Sequence, residues 1–396
     1  MDLNRSSPAS TISSSTLIMT PATSSSTPTQ HGGQRSPPPL AIPQGSLQVT
    51  ALSATSWRTP YPRIGQFART LESDEIVAAG PNGLFYFKRI RDHISRPWTE
   101  ARPLPNTRAM LNSSSVSGLA IHSSGLRLDV YCVAGGVLHN FYRSKEDGSS
   151  FVVNPSPPLS TFSLVGTPAV VTTRGHWDRL QQWSLVVPCV SGGLLHTSTT
   201  SSSEWSKNNQ WEPVDHVAID LGIISAVSIA TTEKKSVYSN DEVSLVAVCI
   251  ARARLYTVEG SFKQESGYSS RGLKWRAQAP TRIDHPGAVT GNPVLAKKYG
   301  DNQLDLLVPS AEGGVFHFVR TKSFPDEWHM IGRIKFPQGL PAASCLAFNI
   351  SDYDRKRFSA LVQSGGQLYQ IRTLESASPW TGKHLKPIVG PGPFSD

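Results

Sequence analysis

Residues 189–200 read CVSGGLLHTSTT, a glycine pair followed by two leucines, a histidine and a run of small polar side chains. A lone imidazole in that setting would point to chemistry, whereas a repeated one points to architecture. The pattern repeats. Its copies are NGLFYF (82–87), GGVLHN (135–140), GGLLHT (192–197), RARLYT (252–257), GGVFHF (313–318) and GGQLYQ (365–370). Each carries a small residue, two mostly apolar residues and then Tyr or His, at Tyr86, His139, His196, Tyr256, His317 and Tyr369. These six positions stand 53, 57, 60, 61 and 52 residues apart. One supersecondary unit repeated along the chain produces such a period.

Neighbouring signals recur in phase. A compact residue precedes each hairpin, at Ala79, Cys132, Cys189, Cys249, Ser310 and Val362, within apolar runs such as LDVYCVAGG and LVAVCIARA. Runs of that length bounded by glycine read as strands closing in a tight turn. An earlier strand opens each unit, for example VSGLAIHS (116–123) and ISAVSIATT (224–232), and an aromatic follows it, at Trp98, Phe151, Trp211, Trp275, Trp328 and Trp380. A unit of four strands cannot bury both its faces alone. Six such units predict an all-β fold, a six-bladed β-propeller of four-stranded antiparallel blades around one axis. The expected blades are 47–106, 114–161, 165–217, 222–285, 288–338 and 341–390, within a single domain at 47–390.

Composition agrees with many short strands. Charged residues make up 17% of the 396, Gly numbers 31 and Pro 30, and no sustained helical period occurs. Residues 1–46 are dominated by Ser, Thr and Pro and hold too little apolar surface to offset the entropy of ordering, so a disordered tail is expected there. No apolar run reaches the roughly 18–20 residues that span a bilayer. The only apolar group near the start is TLIM (16–19), short of a signal peptide. The expectation is a soluble chain without membrane partners, cytoplasmic or exported by a non-classical route. The sequons at Asn4, Asn112 and Asn349 then read as chance matches.

The formal charge of +9 is spread over short groups such as EKK (233–235) and DRKR (354–357), with no nucleic-acid-binding motif around them. A solvated basic surface, and no nucleic-acid partner, is the expectation. Four cysteines without a C-x-x-C spacing predict neither a disulfide framework nor a zinc site, and no cofactor motif is present. KKYGDNQLDLLV (297–308) offers only Asp301 and Asp305 to a calcium ion, too few for its usual shell of six to eight oxygens. SKEDGSSF (144–151) is close to the Asp-box turn of sialidase-like propellers, with Glu146 and Phe151 in place of Asp and Trp.

The unit GGLLHTSTTSSSEWSKNNQWEPV (192–214) resembles the repeat of PLL-type lectins and related fucose-specific lectin-like propellers, and the likeness extends over all six units. The resemblance implies a non-catalytic carbohydrate-binding propeller, with glycans or glycoproteins as partners and sites in the grooves between blades. It implies sugar-facing aromatics among Trp98, Trp211, Trp275, Trp328 and Trp380. In fucose-specific propellers an arginine stands beside the aromatic, with a glutamate on the next strand. Here only ARLYTVE offers that set, as Arg254, Tyr256 and Glu259, with Glu265 beyond it. The Arg254 position is Leu84, Val137, Leu194, Val315 or Gln367 in the other units. Two other classes stand beside this one. A protein-interaction platform would use the same faces, and a sialidase-like glycoside hydrolase would need a convergent pair of carboxylates. Asp74/Glu75, Glu146/Asp147 and Asp352/Asp354 read instead as turn residues.

Overall fold

The computed structural model describes residues 51–57, 73–80, 83–90, 102–107, 116–123, 127–144, 150–174, 181–200, 210–234, 242–263, 274–275, 279–297, 303–321, 323–336, 339–350, 358–365, 367–372 and 386–387. The expected tail at 1–46 lies outside them. Six antiparallel sheets follow one another along the chain. Blade 1 holds β1 (Ala51–Trp57), β2 (Ser73–Gly80), β3 (Gly83–Ile90) and β4 (Arg102–Pro103). Blade 2 holds β5 (Val116–Ser123), β6 (Arg127–Ala134), β7 (Val137–Ser144) and β8 (Val152–Val153). Blade 3 holds β9 (Ala169–Arg174), β10 (Gln181–Pro188), β11 (Leu194–Thr200), β12 (Gln210–Trp211) and β13 (Asp215–Val217). Blade 4 holds β14 (Ile224–Lys234), β15 (Glu242–Ala251), β16 (Arg254–Lys263), β17 (Lys274–Trp275) and β18 (Thr281–Ile283). Blade 5 holds β19 (Val294–Lys297), β20 (Leu304–Pro309), β21 (Val315–Thr321) and β22 (Phe324–Ile334). Blade 6 holds β23 (Ala343–Ile350), β24 (Phe358–Ser364), β25 (Gln367–Arg372) and β26 (Lys386–Pro387).

The first strands contact one another in the cyclic order β1, β5, β9, β14, β19, β23 and back to β1, so the ring closes and the fold is the expected six-bladed propeller. In blades 3 and 4 the fourth strand comes in two pieces, β12 with β13 and β17 with β18, both pairing with the third strand. Pro213 and Pro280 fall in the gaps, and a proline has no N–H to give the ladder.

Burial follows from the layering. The second strands are covered on both faces and read as nearly continuous apolar runs, as in LDLLVP of β20, where every residue is buried. Six apolar clusters fill the seams, one for each pair of neighbouring blades around the ring. The seam of blades 1 and 2, for instance, packs Val77, Leu84 and Tyr86 against Leu128, Val130 and Phe141. At ~1.5–3 kcal/mol for each large side chain taken from water, these seams are the main favourable term holding the blades together.

Near the axis, main-chain groups join the blades directly. Thr167 N–H donates to the Ser225 carbonyl at 3.2 Å, and Val227 N–H to the Thr167 carbonyl at 3.3 Å. Between blades 5 and 6 the Asn292 side chain takes both roles, donating to the Leu346 carbonyl at 2.7 Å and accepting from its N–H at 2.8 Å.

The Tyr/His series does not occupy one register. Cross-strand partners share a face, and each partner's cluster identifies that face. Tyr86 lies opposite Val77, His196 opposite Val186 and His317 opposite Leu307, and these three face the following blade. His139 lies opposite Cys132, Tyr256 opposite Cys249 and Tyr369 opposite Val362, and these face the preceding blade. The six residues therefore meet in three alternate seams, 1–2, 3–4 and 5–6. Hairpin length accounts for the inversion. Two residues join the paired ends Ala134 and Val137 in blade 2, but five join Pro188 and Leu194 in blade 3 and Pro309 and Val315 in blade 5. A difference of three residues is odd, and an odd shift turns a strand's side chains to the other face. In blade 1 the hairpin closes at Gly80 and Gly83, so Tyr86 stands one residue further from the turn than His139 does. For the same reason Cys189 is not the counterpart of Cys132 and Cys249. It lies within the five-residue hairpin and bridges to Leu164.

Candidate functional site in the seams between blades

The described tryptophans of the candidate set all reach back to the preceding blade. Trp211 meets Tyr131 edge-on at 6.4 Å, and Trp275 meets His196 at 5.3 Å and 77°. Trp328 Nε1 donates to Thr257 Oγ1 at 3.0 Å. Phe151 fills the same role against Tyr86, at 5.5 Å. Each of the three tryptophans is partly buried, packing on one side and leaving part of the indole to solvent. Trp98 and Trp380 lie outside the described residues.

His196, the histidine of the opening stretch, is 2% exposed. Neither ring nitrogen has a hydrogen bond, and the closest carboxylate oxygen, Asp215 Oδ2, is 3.6 Å from Nδ1. Burial pushes its pKa down to about 4 against the opposing pull of Asp215, so the ring is neutral at pH 7. It is a packing residue in the 3–4 seam.

Arginine and carboxylate pairs stand beside aromatic rings in three other places. Arg143 of blade 2 crosses to blade 1, donating to Glu75 Oε1 at 2.9 Å and to Tyr86 Oη at 2.6 Å. Its guanidinium lies 4.5 Å from the Tyr86 ring centre and 5.3 Å from that of Phe151. Burial, together with the Glu75 carboxylate, pushes the Tyr86 phenol far above its ordinary pKa. Arg127 donates to Asp129 at 2.7 Å and lies 3.9 Å from the Tyr142 ring centre. Arg320 of blade 5 donates to Glu259 of blade 4 at 2.5 Å and lies 6.0 Å from the Trp328 ring centre. A guanidinium fork fixed by a carboxylate and set beside a ring offers directional donors next to a flat apolar surface.

The sequence-derived trio is divided between two seams. Arg254 and Tyr256 are two residues apart and share the face that turns to blade 3, where Tyr256 packs on the cluster of that seam. Glu259 is an odd number of residues away, so it shares the opposite face with Leu255 and meets Arg320 of blade 5. Glu259 thus joins Trp328, a second candidate, and the 3–4 seam gains Arg282 directly across from Tyr256. Sequence reasoning missed Arg143, Arg320 and Arg282. A signal for the first two exists, since each lies across from the leucine of a Leu-Asp pair, Leu128 for Arg143 and Leu304 for Arg320.

Asp305 is held by His317 Nε2 at 2.8 Å and Gln303 Nε2 at 3.2 Å. Asp301 lies outside the described residues. Among the described residues no three His, Cys, Asp or Glu side chains converge as a metal site would require. No described helix is long and apolar enough to cross a membrane.

No protein-family profile matches the sequence, and no curated protein is recognisably similar to it. Solved structures are similar in fold. The BP39L lectin from Burkholderia pseudomallei superposes with a TM-score of 0.50 at 13% identity, over 86% of this chain and 100% of that one. A mutant of AofleA from Arthrobotrys oligospora, with three of its arginines changed to alanine, gives 0.53 at 9% identity, over 87% and 89%. A polysaccharide lyase of family PL25, an ulvan lyase, gives 0.43 at 10% identity, over 87% and 84%. The likeness at these identities is one of fold.

Proposed function

We propose that this chain is a non-catalytic, carbohydrate-binding propeller of the lectin-like kind, with its sites in the seams between blades. The observation that carries this reading is the grouping of Glu259, Arg320 and Trp328 across the 4–5 seam. Their chemistry suits a neutral sugar: the indole offers an apolar face to pyranose C–H groups, while the guanidinium donates to hydroxyls and the carboxylate accepts from them. Arg254 with Tyr256 forms a second candidate site in the 3–4 seam, which Trp275 also lines, and Trp211 lines the 2–3 seam. The non-catalytic part is supported by the commitments of four seam carboxylates. Glu75, Asp129, Glu259 and Asp305 are each held by an arginine or a histidine, whereas glycosidic cleavage needs an acid and a base free to exchange protons.

The deciding experiment is a glycan array with the full chain, followed by competition with free monosaccharides and by chromogenic glycosides to detect turnover. Competable binding without turnover, weakened by Trp328→Ala and by Arg320→Lys in folded variants, is the expected result. Turnover overturns the non-catalytic reading, and an empty array overturns the lectin reading. A second reading, a protein-interaction platform, is favoured by one observation. The outer strand β22 exposes Phe324, Met330 and Ile331 along its length. Recovery of a specific protein partner together with an empty array would establish it.

A further inference from the structure

Among the described residues, the mouth of the 3–4 seam combines exposed arginines with a strained hairpin. Its blade 4 wall presents Arg254, Tyr256 and Arg282 on one face, with Tyr256 between the two arginines along β16 and across to β18. Neighbouring positions on one sheet face lie about 5 Å apart across strands and about 7 Å apart along a strand, so the two guanidiniums can close on a single sugar residue. Arg254 is exposed and has no carboxylate partner among the described residues. Among the described residues Arg282 pairs with Asp284 alone, at 3.5 Å, and that carboxylate is 94% exposed to water. On the opposite wall stands Asp215, half exposed and directed toward buried His196.

The hairpin that carries Arg254 is also strained. Arg252 and Ala253 have φ of 51° and 57°, where the hairpin of the same length in blade 2 places Gly135 and Gly136. Non-glycine residues rarely adopt this left-handed backbone, and such strain collects at functional positions. It sets Arg252 at the lip of the same seam, with its guanidinium beside Gly222 of the linker entering blade 4.

We propose that the 3–4 seam binds an acidic saccharide, one carrying sulfate or carboxylate groups, through Arg254 and Arg282 with Tyr256 beneath the ring and Arg252 at the entrance. The inference rests on the carbohydrate-binding reading above but concerns a different seam and a charged ligand class. Asp215 supplies an acceptor for a sugar hydroxyl. The two arginines fit one charged residue rather than the long track of phosphates that a nucleic acid requires.

The test is calorimetric titration of the full chain at low salt with three probes: a heparin hexasaccharide, uncharged cellohexaose, and oligo-dT. Arg254→Ala combined with Arg282→Ala removes two exposed side chains, and Arg102→Ala, on exposed β4, is the control for net charge. The heparin hexasaccharide is expected to bind the native chain, and the double variant to weaken it about tenfold or more, as loss of charge-assisted bonds does. Arg102→Ala leaves this binding unchanged. Equal losses with Arg102→Ala reduce it to bulk charge and overturn the proposal. Oligo-dT binding of equal strength and equal dependence on Arg254 and Arg282 overturns it in favour of nucleic acid. If neutral glycans bind on the array while heparin does not, this inference fails alone. If heparin binds through Arg254 and Arg282 while neutral glycans do not, the 4–5 site fails and this one stands.

Discussion

Arg320 of blade 5 and Glu259 of blade 4 lie 61 residues apart in sequence and 2.5 Å apart in space, closing the seam between their blades. Arg143 and Glu75 do the same between blades 2 and 1. The two arginines are counterparts, but the two carboxylates come from different strands. Glu75 is on β2 opposite Lys88, and Glu259 is on β16 opposite Val246, each five residues from the innermost pair of its hairpin. Cross-strand partners share a face, so both carboxylates reach the same place from opposite sides of the ladder.

That equivalence can be tested by moving the carboxylate. Glu259→Val leaves a nearly buried Arg320 with only the exposed Asp326 carboxylate, 3.8 Å away, among the described residues, and is expected to cost about 2–4 kcal/mol of unfolding free energy, somewhat below the range for fully buried pairs. Adding Val246→Glu reproduces the arrangement of blade 1 and should recover more than half of the loss in urea unfolding. A double variant no more stable than Glu259→Val would refute the equivalence.

The blade 4 hairpin yields the opposite sign. Ala253 holds a φ of 57° that glycine adopts freely. The left-handed penalty of roughly 1–2 kcal/mol exceeds the added chain entropy of glycine, roughly 0.4–1 kcal/mol, so Ala253→Gly should stabilise the fold by about 0.5–1 kcal/mol. A differential melt against the native chain measures this. If the strain holds Arg252 and Arg254 in place, the same variant weakens heparin binding as it raises Tm.

The count of blades and the glycine hairpins were legible because each lies within a few neighbouring residues. The facing of the strands was not. Strands buried on both sides, such as β15 with LVAVCIA at 245–251, have no polar alternation to mark a face, so a change from a two- to a five-residue hairpin inverted His196 without a visible sign. The ion pairs were hidden for another reason. Glu75 and Arg143 are 68 residues apart, and only the closed ring brings them together. Arg254 and Glu259 looked like one site because they are close in sequence, while the strand's alternation sends them to different seams.

The buried ring of His196 makes stability depend on pH in a definite direction. Its folded pKa of about 4 lies below the ordinary 6.5, so above pH 6.5 both folded and unfolded rings are neutral and it contributes nothing. As pH falls from 6.5 toward 4, the unfolded chain takes up a proton that the folded chain refuses, and stability declines by up to about 3 kcal/mol. Below pH 4 both states are protonated and this decline stops. Urea unfolding across that interval should show a steeper loss for the native chain than for His196→Phe, which keeps a ring against Trp275. Parallel curves for the two proteins would remove His196 as the source.

The closure of the ring depends on close backbone approaches at glycines, and at two with positive φ, Gly166 and Gly291, this effect is separable from backbone strain. A Cβ on Gly166 would lie 2.1 Å from the Ser225 carbonyl oxygen, and one on Gly291 would lie 2.3 Å from that of Ser344. Both contacts cross from one blade to the next near the axis, where the main chain itself carries the bonds. Gly313 also has a positive φ, 91°, but a Cβ there meets nothing within 4 Å. Gly313→Ala therefore incurs only the left-handed penalty, about 1–2 kcal/mol. Gly166→Ala and Gly291→Ala incur that penalty and also push two blades apart, so each should cost about 3 kcal/mol or more, in the range reached when a tight packing contact is overfilled. Thermal unfolding of the three variants separates the two effects. Equal losses at all three positions would mean that the blades yield at the axis, and the close approach of Gly166 to Ser225 would then not be what holds the blade spacing.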